Sequence, residues 1–172
     1  MKSKNAVVSE ILTVSNEERT VRYNQLNNER EIDFYYPHIG YHNLPNELEI
    51  ALTLDENTLI EVALSFNKPM SKEEVWNSLG SDNVDWFWID KSNSTTFNEL
   101  PASEMDFDHV LFGKDAFGFS VSNDYPSLNS NNSEKNILIS GAIVSGTPSE
   151  LERFLELDII RASVIGLTMD NY

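Results

Sequence analysis

The sequence contains no cysteine, which removes disulfides, thiol nucleophiles, thiolate-bound metals and iron–sulfur clusters together. No apolar run approaches the roughly 18 residues that a membrane-spanning helix needs, and the opening MKSKNAVVSEILTV lacks the apolar core of a secretory signal. The chain as given is therefore expected to be soluble. Basic residues are scarce: 12 Lys and Arg stand against 28 Asp and Glu, for a formal net charge of −16. That field repels phosphate backbones and anionic membrane surfaces, which argues against nucleic acid as a partner. Histidine is scarcer still. His38 and His42 have the spacing of one helical turn, but Pro37 and Gly40 work against a helix there, and His109 lies far along the chain. Zinc needs three or four ligands, so no metal site is expected.

What is present is enough for one domain with a real core: 172 residues, of which 40% are hydrophobic. Residues 1–57 are mixed. NAVVSEILTVS suits a strand or a short helix, and the polar and aromatic stretch that follows is broken by Pro37, Gly40 and Pro45 into turns and irregular loop. From Thr58 the pattern sharpens. TLIEVALSF is short and apolar, as a buried strand is. Ser71 stands three residues before Glu74, the spacing of a capping box, and Met70 and Val75 are placed to form a hydrophobic staple. These signals predict a helix over 72–79, ended by Gly80 in the left-handed conformation. VDWFWI, residues 84–89, returns as a strand.

The same grammar recurs. NILISGAIVSG reads as a strand; Thr147, Pro148 and Glu150 occupy the cap, first and third positions of a second capping box; ELERFLEL supplies a helix, and IIRASVIGLTM returns as a strand. Ser71 to Trp86 and Thr147 to Ala162 are both separated by 15 positions (86 − 71 and 162 − 147). Two strand–helix–strand units of equal stride predict an α+β fold, a mainly antiparallel ferredoxin-like sheet with both helices on one face. The expected organisation is an N-terminal extension, 1–57, packing on a core domain, 58–172, with a loop-rich insertion at 91–136. Within that insertion HVLFGKDAFGFSVS reads as a hairpin or strand pair around Gly113.

Few constellations carry chemistry. Glu104, Asp106 and Asp108 alternate but lack the glycine and terminal glutamate of a calcium loop. Asp85 and Asp90 flank the tryptophan strand, yet their odd separation puts them on opposite faces of an ideal strand, which gives an acid–base hydrolase no support. There is no GxSxG elbow and no phosphate loop, and the SGTPS turn is accounted for by helix capping. Trp86 and Trp88 share one strand face, with Phe87 and Ile89 on the other. Aromatics of this size bury about 150–250 Å² each, so the tryptophans are expected to fill core beneath the helix. A ligand or partner surface formed by Trp86, Trp88 and Asp90 is the competing reading, and a free-standing ligand- or protein-binding module is the functional alternative that goes with it.

VALSFNKPMSKEEVWNSLGSDNVDWFWID, followed much later by GAIVSGTPSELERFLELDIIRASVIGLTMDNY, resembles the C-terminal domain of bacterial sigma factor regulators. The resemblance rests on the strand ending in Phe66 with Lys68 and Pro69, on Trp86, Trp88 and Asp90, on the SGTPSEL turn and on the closing ASVIGLTMDNY. It covers about residues 58–172, with the middle insertion unmatched. Such proteins are membrane-anchored anti-sigma factors, found mainly in Gram-positive bacteria, whose C-terminal domain lies outside the cell. The resemblance implies a non-enzymatic, extracytoplasmic regulatory domain that controls transcription in response to envelope state. It implies a protein partner at the cell envelope, and contact with a sigma factor only through a cytoplasmic segment that this sequence lacks. It brings no cofactor, no metal and no catalytic residue, and leaves the oligomeric state open.

Overall fold

A computed structural model of the chain describes residues 7–14, 17–24, 30, 32–38, 40–41, 43–90, 116–121 and 138–170. Two antiparallel strands, β1 (Val7–Val14) and β2 (Glu17–Asn24), form a sheet of their own. A short helix α1 (Leu48–Ala51) precedes the main sheet. The latter contains β3 (Thr58–Met70), β4 (Val84–Asp90), β5 (Ala116–Ser120), β6 (Ile139–Gly146) and β7 (Ile160–Asp170). Helix α2 (Lys72–Leu79) connects β3 to β4. Helix α3 (Pro148–Leu151), continued by a 3₁₀ turn (Glu152–Phe154), connects β6 to β7.

The strand order is β5-β4-β6-β3-β7, with every neighbouring pair antiparallel. Without β5, the remaining four strands have the order of a split βαβ sheet, in which each crossover helix skips over one strand to reach its partner. The α+β architecture expected from the two matching strides is therefore present, with β5 added at the outer edge beside β4.

Both helices cover one face of the sheet. Val75 and Leu79 of α2 and Leu151 and Phe154 from the second crossover share one buried cluster with Ile60, Val62, Leu64 and Phe66 of β3, Phe87 and Ile89 of β4, and Val144 of β6. Leu48 and Ala51 of α1 join it. The opposite face is covered too, by the aromatic segment that the sequence suggested was irregular loop. Phe34, Tyr35 and Tyr36 are buried against Ala63, Ala162 and Val164, with Tyr41 and Trp88 packed alongside. Phe34 stacks on Trp88 with ring centroids 4.7 Å apart and planes 7° from parallel. Gly141 makes room for it, because a Cβ there would lie 2.7 Å from Phe34 Cδ1 and 2.6 Å from the Leu64 carbonyl oxygen.

The edge strand β7 is closed by a clasp from residues 45–47. The Ser163 N–H donates to the Pro45 carbonyl (2.8 Å), the Glu47 N–H to the Ser163 carbonyl (3.0 Å) and the Ile165 N–H to Glu47 Oε2 (2.8 Å). Arg30 grips the same buried carboxylate through both guanidinium nitrogens, at 2.8 and 2.9 Å. Backbone groups that would otherwise template another strand are thus satisfied within the chain.

Helix α2 spans the residues its signals predict. Both bonds of the capping box form: the Glu74 N–H donates to Ser71 Oγ (3.3 Å) and the Ser71 N–H to Glu74 Oε2 (2.8 Å). Gly80 ends it at φ 71°, ψ −167°. This is not the left-handed helical basin but an extended positive-φ region open essentially to glycine alone. The second helix is shorter than ELERFLEL suggested. After one α turn the chain tightens into 3₁₀ geometry, and Phe154 still reaches the core.

The bonds from the Ser71 backbone and side chain hold the Glu74 carboxyl below its ordinary value of 4.5, and those from Thr147 do the same for Glu150. A depressed carboxylate pKa contributes stability that is fully present above the ordinary value and lost as pH falls through the folded value. Glu74→Gln is therefore expected to flatten the acid limb of the stability curve while leaving its shape near neutrality unchanged. Denaturant unfolding at a series of pH values below 5 checks this, and an unaltered acid slope in the variant would refute the assignment.

Candidate functional site

Where β4 begins, the sheet departs from regular pairing. Val84 faces Val144, yet Trp86 faces Ile143, so β4 advances two residues while β6 advances one. Asp85 is the extra residue of a β-bulge, and a bulge re-aims the side chains that follow it. Ideal alternation from the buried Val84 would have put Trp86 with it beneath the helices and left Phe87 outside. The bulge reverses this. Phe87 and Ile89 enter the helix-side cluster, Trp88 joins the aromatic layer on the other face, and Trp86 remains 44% exposed.

The tryptophans therefore do not fill the space under α2; Phe87 and Ile89 do. Trp88 is half-buried against Phe34, and its indole Nε1–H points to the Tyr36 hydroxyl at 3.4 Å. Trp86 is the exposed member of the predicted trio. Asp90 ends β4, paired with Ala116 of β5. His42, His109, Glu104, Asp106, Asp108 and the proposed turn at Gly113 lie outside the described residues. Among the described residues no three His, Asp or Glu side chains gather as metal ligands would.

Trp86 instead lines an open groove of about 650 Å³ at the end of the sheet. A second indole, Trp76 of α2, lines it as well and is 36% exposed. Trp76 is held edge-on against the buried ring of Phe87, with centroids 5.6 Å apart, and Lys72 Nζ lies 5.9 Å from its centroid one helical turn away. Val84 and Val121 contribute apolar walls, and the Val121 N–H donates to the Asp85 carbonyl at 2.7 Å. Polar groups come from neighbouring strands: the Asp85 carboxylate accepts from Ser145 Oγ at 2.5 Å, and Glu61, directly across from Ser145 on β3, accepts from the Leu167 N–H at 3.3 Å.

The turn before β4 fixes this end of the sheet. Asn83 adopts φ 60°, a conformation asparagine tolerates better than most residues. Its side-chain amide donates to the Ser145 carbonyl at 2.9 Å, and the Ser145 N–H donates back to the Asn83 carbonyl at 3.0 Å. Arg153 also donates to the Asp82 carbonyl, joining the second crossover to the same turn. Sequence reasoning found Trp86 and passed over Trp76, Glu61 and Ser145. Trp76 was readable as an apolar residue on the polar side of a short helix, whereas Glu61 and Ser145 meet Asp85 only through strand pairing.

Residues 52–136 match the family model described as sigma factor regulator C-terminal. The matched range takes in β3, α2, β4 and β5, and with them most of the groove. It runs through the 91–136 insertion for which the motif comparison had no counterpart, and ends before the SGTPSEL turn. No curated protein and no solved structure matches the chain. The matched family is the one whose motif order the sequence resembles.

Proposed function

We propose, from the match of residues 52–136 to the family described as sigma factor regulator C-terminal, that the chain is the extracytoplasmic, non-enzymatic sensor of a membrane-anchored anti-sigma factor. The family match is the observation that carries this reading. The groove supports it by offering an exposed contact surface on a sheet both of whose faces are covered over much of their area. Among the described residues no helix is long and apolar enough to cross a membrane.

A regulator of this kind works by binding better to one state of its system than to another, so that partner contact outside shifts the hold on the sigma factor inside. The test uses the full-length protein in its own bacterium. An alkaline phosphatase fused after Tyr172 is expected to be active, and exchanging residues 58–172 for an unrelated folded domain is expected to uncouple a sigma-dependent reporter from envelope stress. An inactive phosphatase, or a reporter that still responds normally, would overturn the proposal.

A further inference from the structure

The groove at the start of β4 has a chemistry that the regulatory reading does not specify. Two indoles from different elements, Trp76 and Trp86, are held partly exposed at one opening, beside apolar walls from Val84 and Val121. The charged groups in its lining are the carboxylates of Glu61 and Asp85, and among the described residues that line it none is basic. An aromatic face attracts a cation through its quadrupole, and a nearby carboxylate adds a directional partner for it. The chain's net charge of −16 draws cations toward this surface over a longer range.

We infer that this groove binds a polypeptide segment carrying a lysine or arginine next to an apolar residue. An opening of about 650 Å³ falls within the range of ligand sites, roughly 300–1,000 Å³. Its two kinds of recognition group are spread over α2, β3 and β4, so an occupant needs both an apolar body and a positive head to use them. A small amine would leave the apolar walls of Val84 and Val121 uncovered, and an acidic segment would be repelled. A flat neutral sugar could stack on the indoles, but it would leave both carboxylates without a charged partner.

The irregular pairing of β4 sharpens the assignment. Asp85, the extra residue of the bulge, lines the same groove as Trp86, and the hydroxyl of Ser145 donates to its carboxylate at 2.5 Å, which keeps it oriented. Asp85 is a positioning and binding group here, held ready before any partner arrives. Arginine suits such a site better than lysine, because its planar guanidinium both stacks on an indole and grips a carboxylate.

This inference deepens the sensor reading by naming the partner's chemistry, and it is tested separately from it, with the purified chain in solution. The probe is an acetylated and amidated Arg-Leu-Arg tripeptide, titrated while the three indole N–H resonances are followed by NMR. The Trp76 and Trp86 signals are expected to move and that of Trp88 to stay. Trp86→Ala and Asp85→Asn are each expected to weaken binding about tenfold. Both variants should fold, since Trp86 is exposed and asparagine can still accept from Ser145. Raising the salt should weaken binding further.

A Glu-Leu-Glu peptide and a neutral N-acetylglucosamine trimer serve as competitors for the assignment. Movement of the indole signals by either of these as strongly as by the cationic peptide would overturn it. So would the absence of any movement at millimolar Arg-Leu-Arg, whatever the reporter experiment in cells returns.

Discussion

Replacing Glu47 by alanine is expected to lower the unfolding free energy by about 3–5 kcal/mol, the usual cost of stranding one member of a buried ion pair. For a chain of this size that corresponds to a fall of about 6–20 °C in Tm. The reasoning is local. The carboxylate is buried and serves three donors at once, the two guanidinium nitrogens of Arg30 and the Ile165 N–H of the edge strand. Removing it leaves a partly buried cation and an orphaned backbone group, and the latter alone costs about 1–3 kcal/mol. Arg30→Met combined with Glu47→Leu separates these terms. The paired change removes both charges and should lose less than Glu47→Ala alone, but not recover fully, because Ile165 still lacks its acceptor. Thermal unfolding followed by circular dichroism decides the matter, and a loss below about 1 kcal/mol for Glu47→Ala would show that the clasp is not holding the edge.

Phe34→Ala is the second large effect, expected to cost about 3–5 kcal/mol in line with deletion of a buried aromatic ring. Phe34 is buried, stacked on Trp88 and close over the bare Cα of Gly141, so its loss opens a cavity against the sheet rather than a dent in the surface. Trp88 would then lose its cover. In a background carrying Trp76→Phe and Trp86→Phe, acrylamide should quench the remaining indole fluorescence more strongly once Phe34 is gone. Unchanged stability together with unchanged quenching would mean that the aromatic layer contributes nothing to the folded state.

These two residues also mark the limit of what the sequence disclosed. The chain from Thr58 onward was legible where its cues are local. Ser71 with Glu74 and Thr147 with Glu150 announce helix starts, and the apolar runs between them announce strands, so strand order followed from the two equal strides. Residues 1–57 have no such period. Phe34, Tyr35 and Tyr36 are buried by a segment interrupted by Pro37, which reads as loop because its side chains are organised by the sheet beneath and not by a repeat of their own.

Irregular pairing hid the rest. At β3 and β7, Ser65 pairs with Ala162 and Phe66 with Ile160, which makes Arg161 an extra residue whose guanidinium donates to the Tyr36 carbonyl at 2.7 Å. Its burial lowers the guanidinium pKa from the ordinary value. Between β3 and β6 the register jumps from Ser65 opposite Gly141 to Met70 opposite Ile139. Pro69 therefore sits inside a strand at a place where no ladder hydrogen bond is lost. The same applies to the groove. Trp86 was singled out by type, but its exposure depends on the bulge at Asp85, which alternation of residue types does not reveal.

The position of β5 bears on how such a domain can change over generations. In the four-strand order β4-β6-β3-β7, the link between β4 and β6 joins adjacent antiparallel strands, which a short hairpin would suffice to connect. Here it runs from Asp90 to Ile139. Closing a loop costs only about 0.6 kcal/mol for each doubling of its length, so lengthening a three-residue turn to this span costs on the order of 2 kcal/mol. Pairing of β5 along β4 offsets part of that. Length and composition in this one connection can drift while the strands on either side keep their register, so new contact surface can be added beside the groove without rebuilding the sheet that supports it.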